Sequence, residues 1–133
     1  SFVANFIGET NMLSGTVMDH LDEGCLVQLP NGAQIKAQNV LYRAPGQPTS
    51  VLIRPERVQL TETRSDYANS FEATVLETIY HGNHVSVSLE VAGQKDFRAM
   101  VRSGNVHANL NAGHKLYVGF SQDDCRALDP FNG

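Results

Sequence analysis

The chain of 133 residues lacks tryptophan, holds only two cysteines and is poor in positive charge. It has no run of 18 apolar residues that would predict a transmembrane helix, and no basic segment followed by an apolar stretch that would indicate a signal peptide. Lysine and arginine number 10 against 14 acidic residues, and this net charge of −4 argues against a dedicated nucleic-acid-binding domain. Cys25 and Cys125 lie far apart in sequence, so we expect reduced packing thiols and not a disulfide framework.

What the sequence does contain is a two-residue periodicity. From residue 11 onward, apolar and polar residues alternate over short runs separated by turn residues, which predicts antiparallel strands. Pro30-Asn31-Gly32 is a strong hairpin signal. Pro55 follows the apolar run Val51-Leu52-Ile53 and cannot donate to a strand ladder, so the strand is predicted to break there.

The same succession of strands and turns occurs twice. Gly15-Thr16-Val17 matches Ala73-Thr74-Val75, Gly24 matches Gly82, and Gly46-Gln47 matches Gly113-His114. Five short strands in each copy predict an all-β fold of two small antiparallel Greek-key barrels of the OB type. The first OB-like repeat is predicted at 11–62 and the second at 70–130, together forming one regulatory unit. Residues 1–10 are predicted to be a linker with a short helix, closed by Gly8.

No motif in the chain indicates catalysis, cofactor binding or a metal site. The phosphate-binding pattern G-x-x-x-x-G-K-[ST] is absent, so this chain alone is not expected to hydrolyse ATP. His81 and His84 form H-x-x-H in a predicted turn without a third ligand nearby, which favours a solvated hairpin over a metal site. Asp123-Asp124, with Asp129, is interpreted as a polar turn before the last strand.

The group Arg54-Pro55-Glu56 is more informative, because two charged residues flank a rigid proline directly after a core strand. Buried charges must be paired, so this group is either an ordinary salt bridge at the rim of the barrel or a docking contact between subunits or domains.

Three segments resemble a known family. The segment from Phe2 to Asn11, F-V-A-N-F-I-G-E-T-N, resembles the linker after the nucleotide-binding domain in importer-type ABC ATPase subunits. Residues 51–58, V-L-I-R-P-E-R-V, are similar to the I-R-P-E-x-[IV] signature of the C-terminal TOBE region of those subunits, and residues 113–121 with Leu128-Asp129 resemble its closing strands. The resemblance covers essentially the whole chain and is strongest to the spermidine/putrescine branch, with iron, phosphonate and sugar importers as neighbours.

The resemblance implies a regulatory and dimerisation domain of a bacterial uptake transporter, located in the cytoplasm at the inner face of the membrane. The expected partners are its own nucleotide-binding domain, a second copy of itself and, through the parent protein, permease subunits; neither nucleic acid nor direct membrane insertion is expected. ATP and magnesium would bind only the nucleotide-binding domain, and the missing initiator methionine is expected to reflect a cut behind it. Arg54 and Glu56 would fix the edge geometry, and Phe2 and Phe6 would pack the linker against the barrels.

Two other functions stay open. Molybdate-binding relatives of this fold hold oxyanions with backbone N–H groups and small polar side chains, so the chain could instead be a small-ligand sensor. The weak ligand candidates are Asn83, Ser86, Ser88 and Ser121. The simpler explanation is that they are ordinary polar residues of hairpins and bind no ligand. An unrelated β-barrel adaptor is the third possibility.

Overall fold

The computed structural model describes residues 10–21, 24–39 and 44–128. This part of the chain forms ten strands and three short 3₁₀ helices, which confirms the predicted all-β fold. The strands are β1 (Asn11–Leu21), β2 (Gly24–Gln28), β3 (Gln34–Asn39), β4 (Pro48–Ile53), β5 (Gln59–Thr61), β6 (Asn69–Tyr80), β7 (His84–Val91), β8 (Gln94–Arg102), β9 (Lys115–Phe120) and β10 (Cys125–Leu128), and the 3₁₀ helices are Pro55–Arg57, Val106–Asn109 and Gln122–Asp124. Within these ranges no helix has the length and apolar character needed to cross a membrane. The predicted helical linker, with Phe2 and Phe6, lies outside the described residues.

The chain divides into two compact units. The first unit draws on Ser1–Arg54 and Ser121–Gly133, and the second consists of Pro55–Phe120. The chain therefore leaves the first unit once, between Arg54 and Pro55, and returns to it between Phe120 and Ser121.

The first unit is a closed barrel with the strand order β1-β2-β3-β10-β4. Strand β1 has two neighbours: residues 11–16 pair with β4, and residues 16–21 pair with β2, with a bulge between Val17 and Asp19. Such a bulge bends and twists a long strand, which allows one strand to take part in two faces of a small barrel. Strand β10 closes the barrel, parallel to β3 and antiparallel to β4.

The second unit is a five-stranded sheet with the order β5-β9-β6-β7-β8. Strand β6 has the role of β1, with a bulge between Val75 and Glu77. Within the described chain, β7 is the only ladder partner of β8. The Pro55–Arg57 3₁₀ helix lies against β8. In the first unit the corresponding strand, β3, pairs with β10 instead.

Equivalent backbone hydrogen bonds occur at matched positions of the two predicted repeats. Val17 exchanges two hydrogen bonds with the Gly46-Gln47 turn, at 2.9 and 2.7 Å. Val75 exchanges the same two with the Gly113-His114 turn, again at 2.9 and 2.7 Å. These are the positions that the sequence comparison matched, so the two units are copies of one strand plan.

Two strands lie in a different unit from the one that their repeat position predicts. Strand β5 falls within the predicted first repeat, 11–62, but pairs with β9 in the second unit. Strand β10 falls within the predicted second repeat, 70–130, but completes the first unit. The fifth strand of each repeat thus completes the other unit. Periodicity identifies a strand but carries no information about which of two similar edges it joins.

Each unit has its own apolar interior, built by alternate residues of its strands. The most deeply buried side chains of the first unit include Leu13, Val17, Val27, Ile35, Val51 and Ile53, and those of the second include Val75, Val85, Leu89, Phe97, Val118 and Phe120. Full burial of a side chain of this size contributes about 1.5–3 kcal/mol. In the second unit the ring of Phe120 lies 6.0 Å from Phe71 and 6.4 Å from Phe97.

Candidate functional site

The Arg54-Pro55-Glu56 group separates into a buried proline between two exposed charges. Pro55 is buried and opens the 3₁₀ helix against β8, while Arg54 and Glu56 are exposed. Among the described residues, no salt bridge joins Arg54 to Glu56. Proline is therefore the packing residue of the motif, and the role of the two charges stays a prediction.

The predicted ligand candidates are not brought together as one set. Asn83 lies in the exposed turn between β6 and β7, and Ser86 and Ser88 are half-buried along β7. Ser121 belongs to the first unit, where its hydroxyl donates to Asp124 Oδ2 at 3.0 Å. An oxyanion-binding role for these four residues stays a prediction.

The histidine pair of the H-x-x-H motif lies on the same exposed hairpin. The rings of His81 and His84 stack with their centroids 5.0 Å apart, and His84 Nδ1 lies 2.8 Å from Asn83 Oδ1. Across residues 10–21, 24–39 and 44–128, no three His, Cys, Asp or Glu side chains are arranged to hold a metal ion.

A cluster that the sequence did not reveal joins Glu62 to two histidines in the second unit. His114 Nε2 lies 3.0 Å from Glu62 Oε1, and His107 Nε2 lies 3.1 Å from Glu62 Oε2. Glu62 follows β5, His107 lies in the Val106–Asn109 helix and His114 precedes β9, so one carboxylate ties three segments together. The hydrogen bond from His114 lowers the pKa of Glu62 against an opposing effect of desolvation, and that from His107 lowers it further.

Glu62 also lines a cleft of the second unit, which has a volume of about 560 Å³ and lies along β6 and β9. Glu72, Thr74, Lys115 and Tyr117 supply its other polar groups. The hydroxyl of Tyr117 donates to Glu72 at 3.4 Å. Two carboxylates and one ammonium group thus give the cleft charges of both signs.

Only the folded chain brings Glu62 and its partners together, because 45 residues separate it from His107 and 52 from His114. Glu62 stands in a polar stretch without periodicity, and neither histidine stood out as a site candidate in the sequence. No local pattern indicates such a cluster.

The strand plan and the sequence agree with one family. Residues 51–128 match the family model described as "TOBE domain". The match covers more than half of the chain and includes the Arg54-Pro55-Glu56 group, so the chain belongs to the TOBE domain family.

Curated relatives point to one kind of larger protein. The chain is similar to the spermidine/putrescine import ATP-binding proteins PotA of Trichodesmium erythraeum, 30% identical over 135 residues, and Roseobacter denitrificans, 34% identical over 129 residues. Each alignment covers 96% of this chain and 35% of the relative. The PotA protein of an Escherichia coli O1:K1 strain is 34% identical over 95 residues, which cover 71% of this chain and 25% of the relative. The chain thus spans about a third or less of the length of these relatives.

A solved structure shares the fold. It is the cytoplasmic molybdate-binding protein ModG with molybdate bound, which superimposes with a TM-score of 0.79 over 90% of this chain and 96% of that one. Sequence identity is 18%, so the similarity concerns the fold alone.

Proposed function

We propose that the chain is the C-terminal regulatory and dimerisation domain of the ATP-binding subunit of an ABC uptake transporter for polyamines. The observation that carries this proposal is the alignment of 96% of the chain with the Trichodesmium and Roseobacter import proteins. Transport of iron, phosphonate or a sugar is the alternative for the substrate of the parent protein.

In this proposal the chain performs no chemistry of its own. The nucleotide-binding domain of the parent protein binds ATP and magnesium, and permease subunits carry the substrate. The domain pairs with a second copy at the cytoplasmic face of the membrane. A partner or ligand that binds one arrangement of the pair more tightly shifts the transport cycle toward it.

The Arg54-Pro55-Glu56 group is the proposed contact point for this regulation. Its support is the contrast within the motif, since burial fixes Pro55 while Arg54 and Glu56 remain exposed. Exposed charges on a rigid backbone are suited to orienting a partner, because little backbone freedom is lost on binding. Phe2 and Phe6 are proposed to pack the linker against the barrels.

A chimaera tests the proposal. This chain replaces the matching segment of the Roseobacter relative, and ATP-dependent spermidine uptake is measured in vesicles that contain the relative's own permease subunits. We expect uptake well above that of the subunit truncated before the segment. A second chimaera with Arg54→Ala and Glu56→Ala should fold normally and couple ATP hydrolysis to uptake less well. Uptake equal to that of the truncated subunit, from a folded chimaera, would refute the proposal.

A second candidate function is ligand sensing by the domain itself, favoured by the charged cleft beside Glu62. Thermal unfolding is measured with polyamines, molybdate, sugars and iron salts. Stabilisation by a polyamine that Glu72→Gln weakens would support sensing at the cleft. Stabilisation by molybdate that Ser86→Ala or Ser121→Ala removes would support the oxyanion alternative, and no stabilisation by any compound would remove the sensing candidate.

A further inference from the structure

We propose that the closing segment, defined as Ser121–Leu128, also completes the first unit of a second copy of this chain, so that two chains form a strand-exchanged dimer. The binding surface is the slot between β3 and β4, and its occupant is β10 of the second copy. The inference rests on the proposed function at one point, the pairing of two copies, and adds the way in which they pair.

Both ladder partners of β10 belong to the first unit. Four residue pairs join β10 to β4 and two join it to β3. The hydroxyl of Thr49 donates to the carbonyl of Leu128 at 2.6 Å. A β10 strand from a second copy would meet the same partners, because none of these contacts involves Pro55–Phe120.

The short helix before β10 docks within the same unit. Gln38 Nε2 donates to Asp123 Oδ1 at 3.0 Å, and Gln122 Nε2 lies 3.5 Å from the carbonyl of Ala37. Gly24, with a φ of 128°, lies so close that an added Cβ would overlap the Ala37 carbonyl and the Gln122 amide. The whole closing segment is thus one docked element, and the point where it can separate is the crossing before Ser121.

Within this chain, the fifth strand of each unit already comes from the other predicted repeat. Strand β5 follows β4 in sequence but joins the second unit, and β10 follows β9 but joins the first. Because both units have the same strand plan, continuity along the chain does not decide which strand fills a slot. We infer that a strand from another molecule is an equally suitable occupant.

Strand exchange is a low-cost way to pair two copies of one chain. An exchanged dimer remakes every contact of the closed monomer, so its cost is limited to bringing two chains together and changing the backbone at the crossing. Only two side chains of β10, Cys125 and Ala127, lie in the core, and both are small. Short elements with few buried contacts open at lower free energy than the whole fold.

A pair of engineered cysteines distinguishes the two arrangements. Arg126 and Leu52 are register partners on β10 and β4, outside the core, at a spacing that suits a disulfide. The test variant carries Arg126→Cys and Leu52→Cys, and the matched control carries Met12→Cys and Leu52→Cys, which joins β1 to the same residue of β4. Each is made with the native cysteines and in a second version with both changed to alanine, so that one misfolded version does not decide the result.

The chain is concentrated, its dimer is isolated by gel filtration, and the dimer is oxidised and analysed on a non-reducing denaturing gel. We expect the test variant to give a covalent dimer and the control a covalent monomer from the same peak. A covalent monomer from the test dimer would overturn the exchange and leave pairing intact. A chain that stays monomeric at every concentration would overturn both the exchange and the self-pairing of this domain, without bearing on the uptake result of the chimaera.

Discussion

Replacing Gly15 with alanine is expected to destabilise the first unit by steric overlap. An added Cβ would lie 2.6 Å from Val27 Cγ1 and 2.8 Å from the carbonyl oxygen of Gln28. Val27 is fully buried and the Gln28 carbonyl belongs to the backbone of β2, so neither atom can move away easily. Gly15 does not have a positive φ, so the cost comes from the overlap and not from an unfavourable backbone conformation.

The size of the effect follows from two opposing contributions. Inserting a methyl group into a well-packed core costs about 1–3 kcal/mol, whereas alanine restricts the unfolded chain and recovers about 0.4–1 kcal/mol. The net range is a loss of about 0–2.6 kcal/mol in the free energy of unfolding, and the two close contacts place the expectation in its upper half. For a domain of about 60–100 residues, each kcal/mol lowers the melting temperature by roughly 4–8 °C.

Circular dichroism during urea and thermal unfolding measures this loss. Gly104→Ala is the matched control, because an added Cβ at Gly104 meets no atom within 4 Å and its φ is not positive. We expect the control to be unchanged or slightly more stable. Equal stability of the Gly15 and Gly104 variants would refute the packing argument.

Three further predictions follow from the described contacts. Truncation after Phe120 removes β10, so the amides of the first unit should lose protection from hydrogen exchange while those of the second unit keep it. Truncation after Leu128 is the control and should preserve protection in both units. Equal loss of protection in the two units would contradict this prediction. Because the folded state lowers the pKa of Glu62, its carboxylate stabilises the fold at neutral pH and this stabilisation disappears as the pH falls through the lowered value. The stability difference between wild type and Glu62→Gln in urea should therefore shrink from about pH 7 to about pH 2, and a pH-independent difference would count against the cluster. Burial raises the pKa of the Cys25 and Cys125 thiols, so a thiol reagent should label the native chain slowly and the urea-unfolded chain at once; rapid native labelling would disprove their burial.

Much of the fold could be predicted because turns and alternation are local properties. Pro30-Asn31-Gly32 forms the predicted hairpin turn, closed by hydrogen bonds between Leu29 and Ala33 and between Gly32 and Leu29. The turn at Gly46-Gln47 is followed directly by β4, which begins at Pro48. Thr49 and Ser50 are polar, which is typical of loop residues, yet both are buried in this strand. The Thr49 hydroxyl donates a hydrogen bond to the carbonyl of Leu128.

The features that the sequence did not predict depend on contacts between distant segments. The positions of β5 and β10 are decided by which open edge each strand joins, and the two edges look alike in sequence. The Glu62 cluster depends on three segments meeting, and none of its members stands in a recognisable motif. The Arg54-Pro55-Glu56 group could be identified from sequence, but its buried member proved to be the proline.

The late position of the closing segment also determines the order in which the chain can fold during synthesis. When Arg54 leaves the ribosome, the first barrel still lacks the strand between β3 and β4, and that strand is made only after the whole of Pro55–Phe120. At roughly 5–20 residues per second, the unfinished barrel waits for several seconds with an open edge. The second unit consists of one continuous segment, which begins with its 3₁₀ helix and β5. It is therefore expected to fold first on the ribosome, and the first barrel last.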